Sequence, residues 1–419
     1  MAKDRALSPL RVLLPVGIGT CLSLLGDASL YAVLPTHTAD AGVSMASVGA
    51  LLSANRFIRL VLNGPAGMAY DRWRRRRLFV PALFIGAFST ALYGLTQGFW
   101  PLFIGRLLWG LAWAGIWVGG NTIVLDVARD ETRGRWVGAY QVFFFLGASS
   151  GALLGGLMTD RLGYHPAMNI SACLTFVGAV VALLFLPETR EQRRETSSRS
   201  PAPSTADSAP PASHSTGKRA FAAAVGLYAA HRLAAVGIVQ STFGLFLREQ
   251  MGDQTQVAGR VLGVATLTGL GLGLSTLISA TSAPVMGSLS DRVGDRWRVA
   301  AGGLLPGVVG LGLLALGSPL AIFAGLPLVA VTGWSNQGLS TALIGDLGKE
   351  RQSRRLGVLL TVGDLASAIG PPLAYWLIPL IGIESVYVMS AGIFVFMFFV
   401  ILRTGKEQRA LHSGQLDTV

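Results

Sequence analysis

Gly67-Met-Ala-Tyr-Asp71-Arg72 recurs as Gly287-Ser-Leu-Ser-Asp291-Arg292, 220 residues further along the chain. Two more matches keep that offset almost unchanged: Asp126 with Asp346 at 220, then Gly138 and Gly151 with Gly357 and Gly370 at 219. Three collinear matches mark an internal duplication more firmly than one shared motif can. Each hexapeptide closes a long apolar run and opens a basic stretch, so the duplicated object is a group of membrane spans with charged ends.

Stretches of about 20 mostly apolar residues, enough to cross a hydrocarbon core, lie near 12–35, 46–70, 79–98, 101–125, 136–159 and 166–186. Six more follow near 220–247, 261–288, 299–317, 319–345, 355–378 and 385–402. Of the 419 residues, 51% are hydrophobic and 13% charged, about half the charged share of a soluble domain. That composition excludes an ordinary soluble enzyme or a disordered chain. The expected fold is an all-α membrane protein of twelve transmembrane helices in two pseudo-symmetric six-helix bundles, 1–187 and 220–403. Between them 188–219, rich in Ser, Pro and charge, reads as a flexible linker, and 404–419 reads as a tail. Cys21 and Cys173 have no metal-ligand spacing and read as small hydrophobes.

The net charge of +12 is explained by topology. With twelve spans, 27 of the 34 Lys and Arg residues fall on the side of the termini and only Arg161, Arg248 and Arg260 on the other. The positive-inside rule puts both termini in the cytoplasm of a cell membrane protein. A nucleic-acid partner is therefore not needed. The expected partners are membrane lipid and a small-molecule substrate, with a monomer favoured. Gly269-Leu-Gly271-Leu-Gly273 sits inside a span, where a phosphate loop cannot be, and no nucleophile–base set is found, so no enzyme activity and no cofactor are expected.

At the repeated hexapeptide the chain resembles the major facilitator superfamily, whose signature G-x-x-x-D-R/K-x-G-x-R/K-R/K follows the second and eighth helices. The first copy runs from Gly67 through Asp71 and Arg72 to Arg75 and Arg77, with Arg74 where the second glycine is expected. The second copy, Gly287, Asp291, Arg292, Gly294 and Arg296, keeps it. The resemblance implies the major facilitator fold, alternating access, and a cytoplasmic charge gate built from Asp71, Arg75 and Asp126 and, in the other half, Asp291, Arg296 and Asp346. Gly67 and Gly287 are expected to admit close helix approach. Arg106-Leu-Leu-Trp-Gly110 is similar to the family's R-x-x-x-G element, whose Arg is associated with proton coupling. Gly138, Gly147, Gly151, Gly155 and Gly156 resemble the helix-five motif of the drug:proton antiporters, with Ala152 in place of its proline. These imply proton-driven efflux of a small organic molecule.

Ionisable residues inside a bilayer cost free energy and default to functional candidates. They are Asp27, Arg56, Arg59, Arg106, His231, Arg232 and Asp364. At about 1.5 Å per residue, Asp27 and Arg106 lie at similar depth in the outer half, which pairs a titrating carboxylate with the fixed charge that sets its affinity for a proton. Arg59 and Asp364 match in depth from the other end and are expected to form an interdomain pair, with Arg56 and Arg232 competing for that carboxylate. Four arginines against two aspartates suit an anionic or zwitterionic substrate. Tyr31, Trp109, Trp113, Trp117 and Trp334 are aromatic candidates for a cavity wall, none singled out. Two other functions fit the same features: an importer or facilitator of organic anions using Arg56, Arg59 and Arg232 as a clamp, and a transport-inactive membrane sensor or scaffold.

Overall fold

The computed structural model describes residues 8–190, 214–257, 259–347 and 352–416. The linker expected over 188–219 falls mostly outside those residues. Among the described residues, twelve helices are long and apolar enough to cross a membrane, as the run lengths require. The first six are α1 (Pro9–Val33), α2 (Met45–Arg72), α3 (Arg75–Leu95), α4 (Phe99–Val127), α5 (Arg133–Leu162) and α6 (Tyr164–Phe185). α7 is α-helical over His214–His231, π-helical over Arg232–Val239, and α-helical again over Gln240–Met251. After the hairpin β1 (Gln254–Val257) and β2 (Arg260–Gly263) come α8 (Val264–Val293), α9 (Arg296–Gly302 and Leu305–Ala315), α10 (Pro319–Asp346), α11 (Gln352–Ile381) and α12 (Ile383–Leu416).

Local chemistry sets the boundaries. Gly98, at φ +99°, is the last residue of the three-residue turn into α4, a conformation L side chains resist. Proline opens α1 and α10 as Pro9 and Pro319, where its missing N–H has no intrahelical partner to lose. Large apolar side chains left exposed along the spans, such as Phe88, Leu184, Leu320 and Phe396, belong to surfaces that lipid covers.

The chain forms two compact units. One holds α1 to α6 together with Gly252–Gly273, and the other holds α7 and everything from Leu274 onward. Helix α1 packs most extensively on α5, and the helix-five glycines explain why. Gly147, Gly151 and Gly155 face Cys21, Leu25 and Ser29 in register, and a Cβ on Gly151 would lie 2.9 Å from Leu25 Cα. Small residues every fourth position let two backbones touch, and dispersion between them replaces the hydrophobic drive that lipid cancels. Gly156 turns to a different neighbour, Ala265 at the start of α8 within the same unit. Gly138 meets nothing within 4 Å. The interior of this unit is a column of stacked rings, Trp109, Trp113 and Trp117, with centroids 5.9 and 5.7 Å apart. Trp109 and Trp113 are buried there in the hydrophobic core.

Candidate functional site

Helices α1, α2 and α4 build the membrane site of the first unit. Arg106 is fully buried on α4 and donates through Nη1 to Asp27 Oδ1 of α1 at 2.5 Å. Its Nε donates to the backbone carbonyl of Leu51 at 3.1 Å, and its Nη2 to Tyr31 Oη at 3.3 Å. Tyr31 in turn donates to the Leu52 carbonyl at 2.8 Å. The guanidinium of Arg56 lies 5.1 Å from the Tyr31 ring centroid and that of Arg106 5.3 Å, so one ring serves two cations. The depth argument thus finds the Asp27–Arg106 pair, but it does not show that Arg106 grips the backbone of α2 as well. Arg59 is half-buried one turn beyond Arg56.

The second unit holds a smaller cluster. Arg232 Nη2 donates to Asp364 Oδ1 at 3.1 Å and to Ser367 Oγ at 3.3 Å. Arg232 opens the π-helical stretch of α7, and Gly237 within that stretch lies against α11, where its Cβ would sit 2.9 Å from Gly370 Cα. π-bulges recur at functional sites because the wider turn re-aims the side chains that leave it. His231, buried beside Arg232, faces Gly333 of α10, and its Nδ1 has no hydrogen-bond partner among the described residues.

At the motif-bearing ends the two copies differ. In the first, Arg75 Nε donates to Asp126 Oδ2 at 2.9 Å, with both side chains almost fully buried. Thr189 Oγ1 donates to the same oxygen at 3.2 Å. Glu188 accepts the N–H groups of Arg75 and Arg76 at 2.9 and 3.3 Å, which satisfies the open end of α3. Asp71 is exposed, and its backbone carbonyl accepts Arg190 Nη2 at 3.2 Å. In the second copy Arg296 bridges Asp346 and, at 3.6 Å, Asp291. Arg72 and Arg292 are both exposed. Gly294, at φ +70°, makes the turn the motif calls for. Arg74, in the corresponding place, takes φ −64° and ψ 131°, so the first copy turns without a left-handed residue. One expectation is corrected: Cβ atoms on Gly67 and Gly287 would meet nothing within 4 Å, so neither glycine serves close helix approach here. Glu188 and Thr189 were missed because they lie in a polar strip with no periodicity. The available signal was a carboxylate directly after a span, near a helix start that lacks a cap of its own.

The chain is similar over most of its length to proteins of known kind. The family model of the Major Facilitator Superfamily matches residues 16–275 and 233–417. The tetracycline resistance protein, class B, of Escherichia coli is 24% identical over 84% of both chains, and the class G protein of Vibrio anguillarum is 26% identical over 88% of this chain and 89% of its own. Among solved structures, an inward-facing bacterial homologue of the human lysosomal transporter Spinster superposes with a TM-score of 0.68 at 16% identity, covering 95% of each chain. The human organic anion transporter MFSD10 superposes with a TM-score of 0.63 at 20% identity, over 94% of this chain and 100% of its own. With its twelve spans, its duplicated motif and a family match over nearly its whole length, the chain belongs to the major facilitator superfamily and is a multi-pass membrane transporter, not an enzyme.

Proposed function

We propose that this transporter exports a small organic molecule in exchange for protons, by alternating access of the bundles 1–187 and 220–403, with both termini in the cytoplasm. The observation that carries the reading is the pair of partly buried Asp27 with fully buried Arg106 and its attachment to α2. A proton arriving on Asp27 cancels the charge that holds Arg106, and the guanidinium then depends on the Leu51 and Leu52 carbonyls and on Tyr31. Because α2 runs from those carbonyls, past Pro65, to the Gly67–Arg72 motif, a change at Asp27 is transmitted along one continuous helix to the charge gate. In the other bundle Asp364 is held by Arg232 and passes to Arg59 when the access state changes. The proton gradient is the energy source, and no cofactor takes part.

The excess of arginine over aspartate within the spans favours an anionic or zwitterionic substrate. Export is supported by the tetracycline resistance proteins matched over most of their length. The test is uptake into inside-out vesicles under an imposed pH difference, with a panel of charged and neutral metabolites. Wild type should accumulate its substrate when the lumen is acid. Asp27→Asn should lose that pH dependence while retaining counterflow of preloaded substrate. Coupling at the wild-type ratio in Asp27→Asn would refute the proton role, and flux only in the opposite direction would turn the reading to an importer with Arg56, Arg59 and Arg232 as the clamp.

A further inference from the structure

The motif-bearing end of the second unit contains a cavity of about 660 Å3, lined among others by Ser290, Asp291, Arg296, Trp297, Asp346 and Arg409. That volume is within the range of small-molecule sites. Its charges are unequal. Asp291 and Asp346 share one guanidinium, that of Arg296. Arg409, from the end of α12, is bound to Asp295 at 2.8 Å, and Asp295 is also on the wall. Asp295 is matched further by Arg298 at 3.2 Å, so the unmatched acid charge of the wall lies at Asp291 and Asp346, which have one guanidinium between them.

A second feature points inward from the same cavity. Ser290 is 3% exposed, and its hydroxyl finds no hydrogen-bond partner among the described residues. Buried polar groups are nearly always satisfied, so an orphan on a cavity wall points to water or a ligand. The pattern continues above it. Leu343 of α10 and Leu347, the residue that follows that helix, line the cavity, and spacings of three and four residues place Ser340 and Asn336 on the same face of α10 as Leu343, one and two turns higher. Both are fully buried, and Ser340 Oγ and both amide atoms of Asn336 are also without partners. A Cβ on Gly303, at the break in α9, would lie 3.2 Å from Asn336 Oδ1 and 3.3 Å from Cε of Met286, which is one turn above Ser290 on α8. Polar groups thus lead from the charged wall into the unit.

We propose that this cavity binds a small organic cation, an ammonium whose charge rests between Asp291 and Asp346 and whose apolar body lies on the Trp297 ring. An anion is disfavoured because both wall arginines are occupied. A bare metal ion is disfavoured because the described residues contain no group of three His, Cys, Asp or Glu side chains placed to ligate one. Ammonium attraction to a tryptophan face adds to the carboxylates. The site is separate from the Asp27–Arg106 relay and does not depend on the direction of transport.

The test is ligand-observed NMR saturation transfer on the full chain in lipid nanodiscs, with benzyltrimethylammonium as probe and benzenesulfonate as its anionic counterpart. Wild type should show saturable binding of the ammonium that the sulfonate does not displace. Asp346→Asn should weaken it tenfold or more and Trp297→Leu about fivefold, while Asp40→Asn, at an exposed loop residue of the first unit, should leave it unchanged. If Asp346→Asn unfolds, the exposed Asp291→Asn takes its place with the same expectation. Absence of saturable binding in wild type, equal binding of the sulfonate, wild-type binding in both wall variants, or loss in Asp40→Asn would each overturn the proposal.

Discussion

The two copies of the charge motif occupy equivalent places in a duplicated chain, yet they are wired one residue out of step. In the first, the arginine directly after the turn, Arg75, reaches the acid at the end of α4; in the second, that place holds Asp295, and the next residue, Arg296, reaches the acid at the end of α10. The displaced aspartate caps α9 from within, accepting Arg298 N–H at 3.0 Å, whereas α3 borrows its carboxylate from Glu188, more than a hundred residues away. Burial follows the wiring. The Arg75 and Asp126 side chains are 3% and 2% exposed, those of Arg296 and Asp346 36% and 50%. Duplication preserved the location of the charges and let their solvation diverge, so one copy is a fixed strut and the other an exchangeable contact.

The largest expected effect comes from cutting the strut. Asp126→Ala leaves the Arg75 guanidinium buried without its counter-ion and should cost about 3–5 kcal/mol, read by thermal unfolding of the purified protein in detergent. The same change in the other copy, Asp346→Ala, should cost less than about 1 kcal/mol because water already reaches that pair. Equal losses in the two variants would break the contrast. A middle effect falls on the caps. Glu188→Ala removes the acceptor for two open N–H groups and should cost about 1 kcal/mol, and Glu188→Gln, which keeps an acceptor oxygen, should recover part of it. The smallest effect, of opposite sign, belongs to the hexapeptide glycines. Gly67→Ala and Gly287→Ala place a methyl group in open space within a helix, so each should raise stability by about 0.5–1 kcal/mol. A loss at Gly67 alone would show that the first copy is crowded in another state of the transporter.

How much of this was legible in the chain depends on whether the cause was local. Span number and duplication are written in run lengths and in a repeated hexapeptide, and the structure has the same twelve helices. Asp27 and Arg106 could be matched by depth because each is the one charge at its level on its helix. For Asp364 depth left three arginines in competition, and within its own unit the structure pairs it with Arg232. The π-helical winding that opens at Arg232, the partner the structure gives Asp364, leaves no periodic signature in an apolar span. The glycines of α5 announced a packing seam by their spacing. Gly67 and Gly287 carried the same residue type with no neighbour to meet, since composition alone does not reveal which face of a helix points outward. Glu188 was unreadable for a third reason: its partner is made by the tertiary fold.

The looser winding of α7 over Arg232–Val239 also has a bearing on how this helix tolerates change in length. A π-turn holds more residues than the α-turn it replaces, so this span carries surplus chain in mid-membrane. Removing one residue there would let an unbroken α-ladder form while the two ends of the helix keep nearly their present phase, and would re-aim the side chains that leave the wide turn, taking Arg232 away from Asp364 while keeping the span. Elsewhere in the bundle a deletion would misalign whole faces; here it would act on one ion pair.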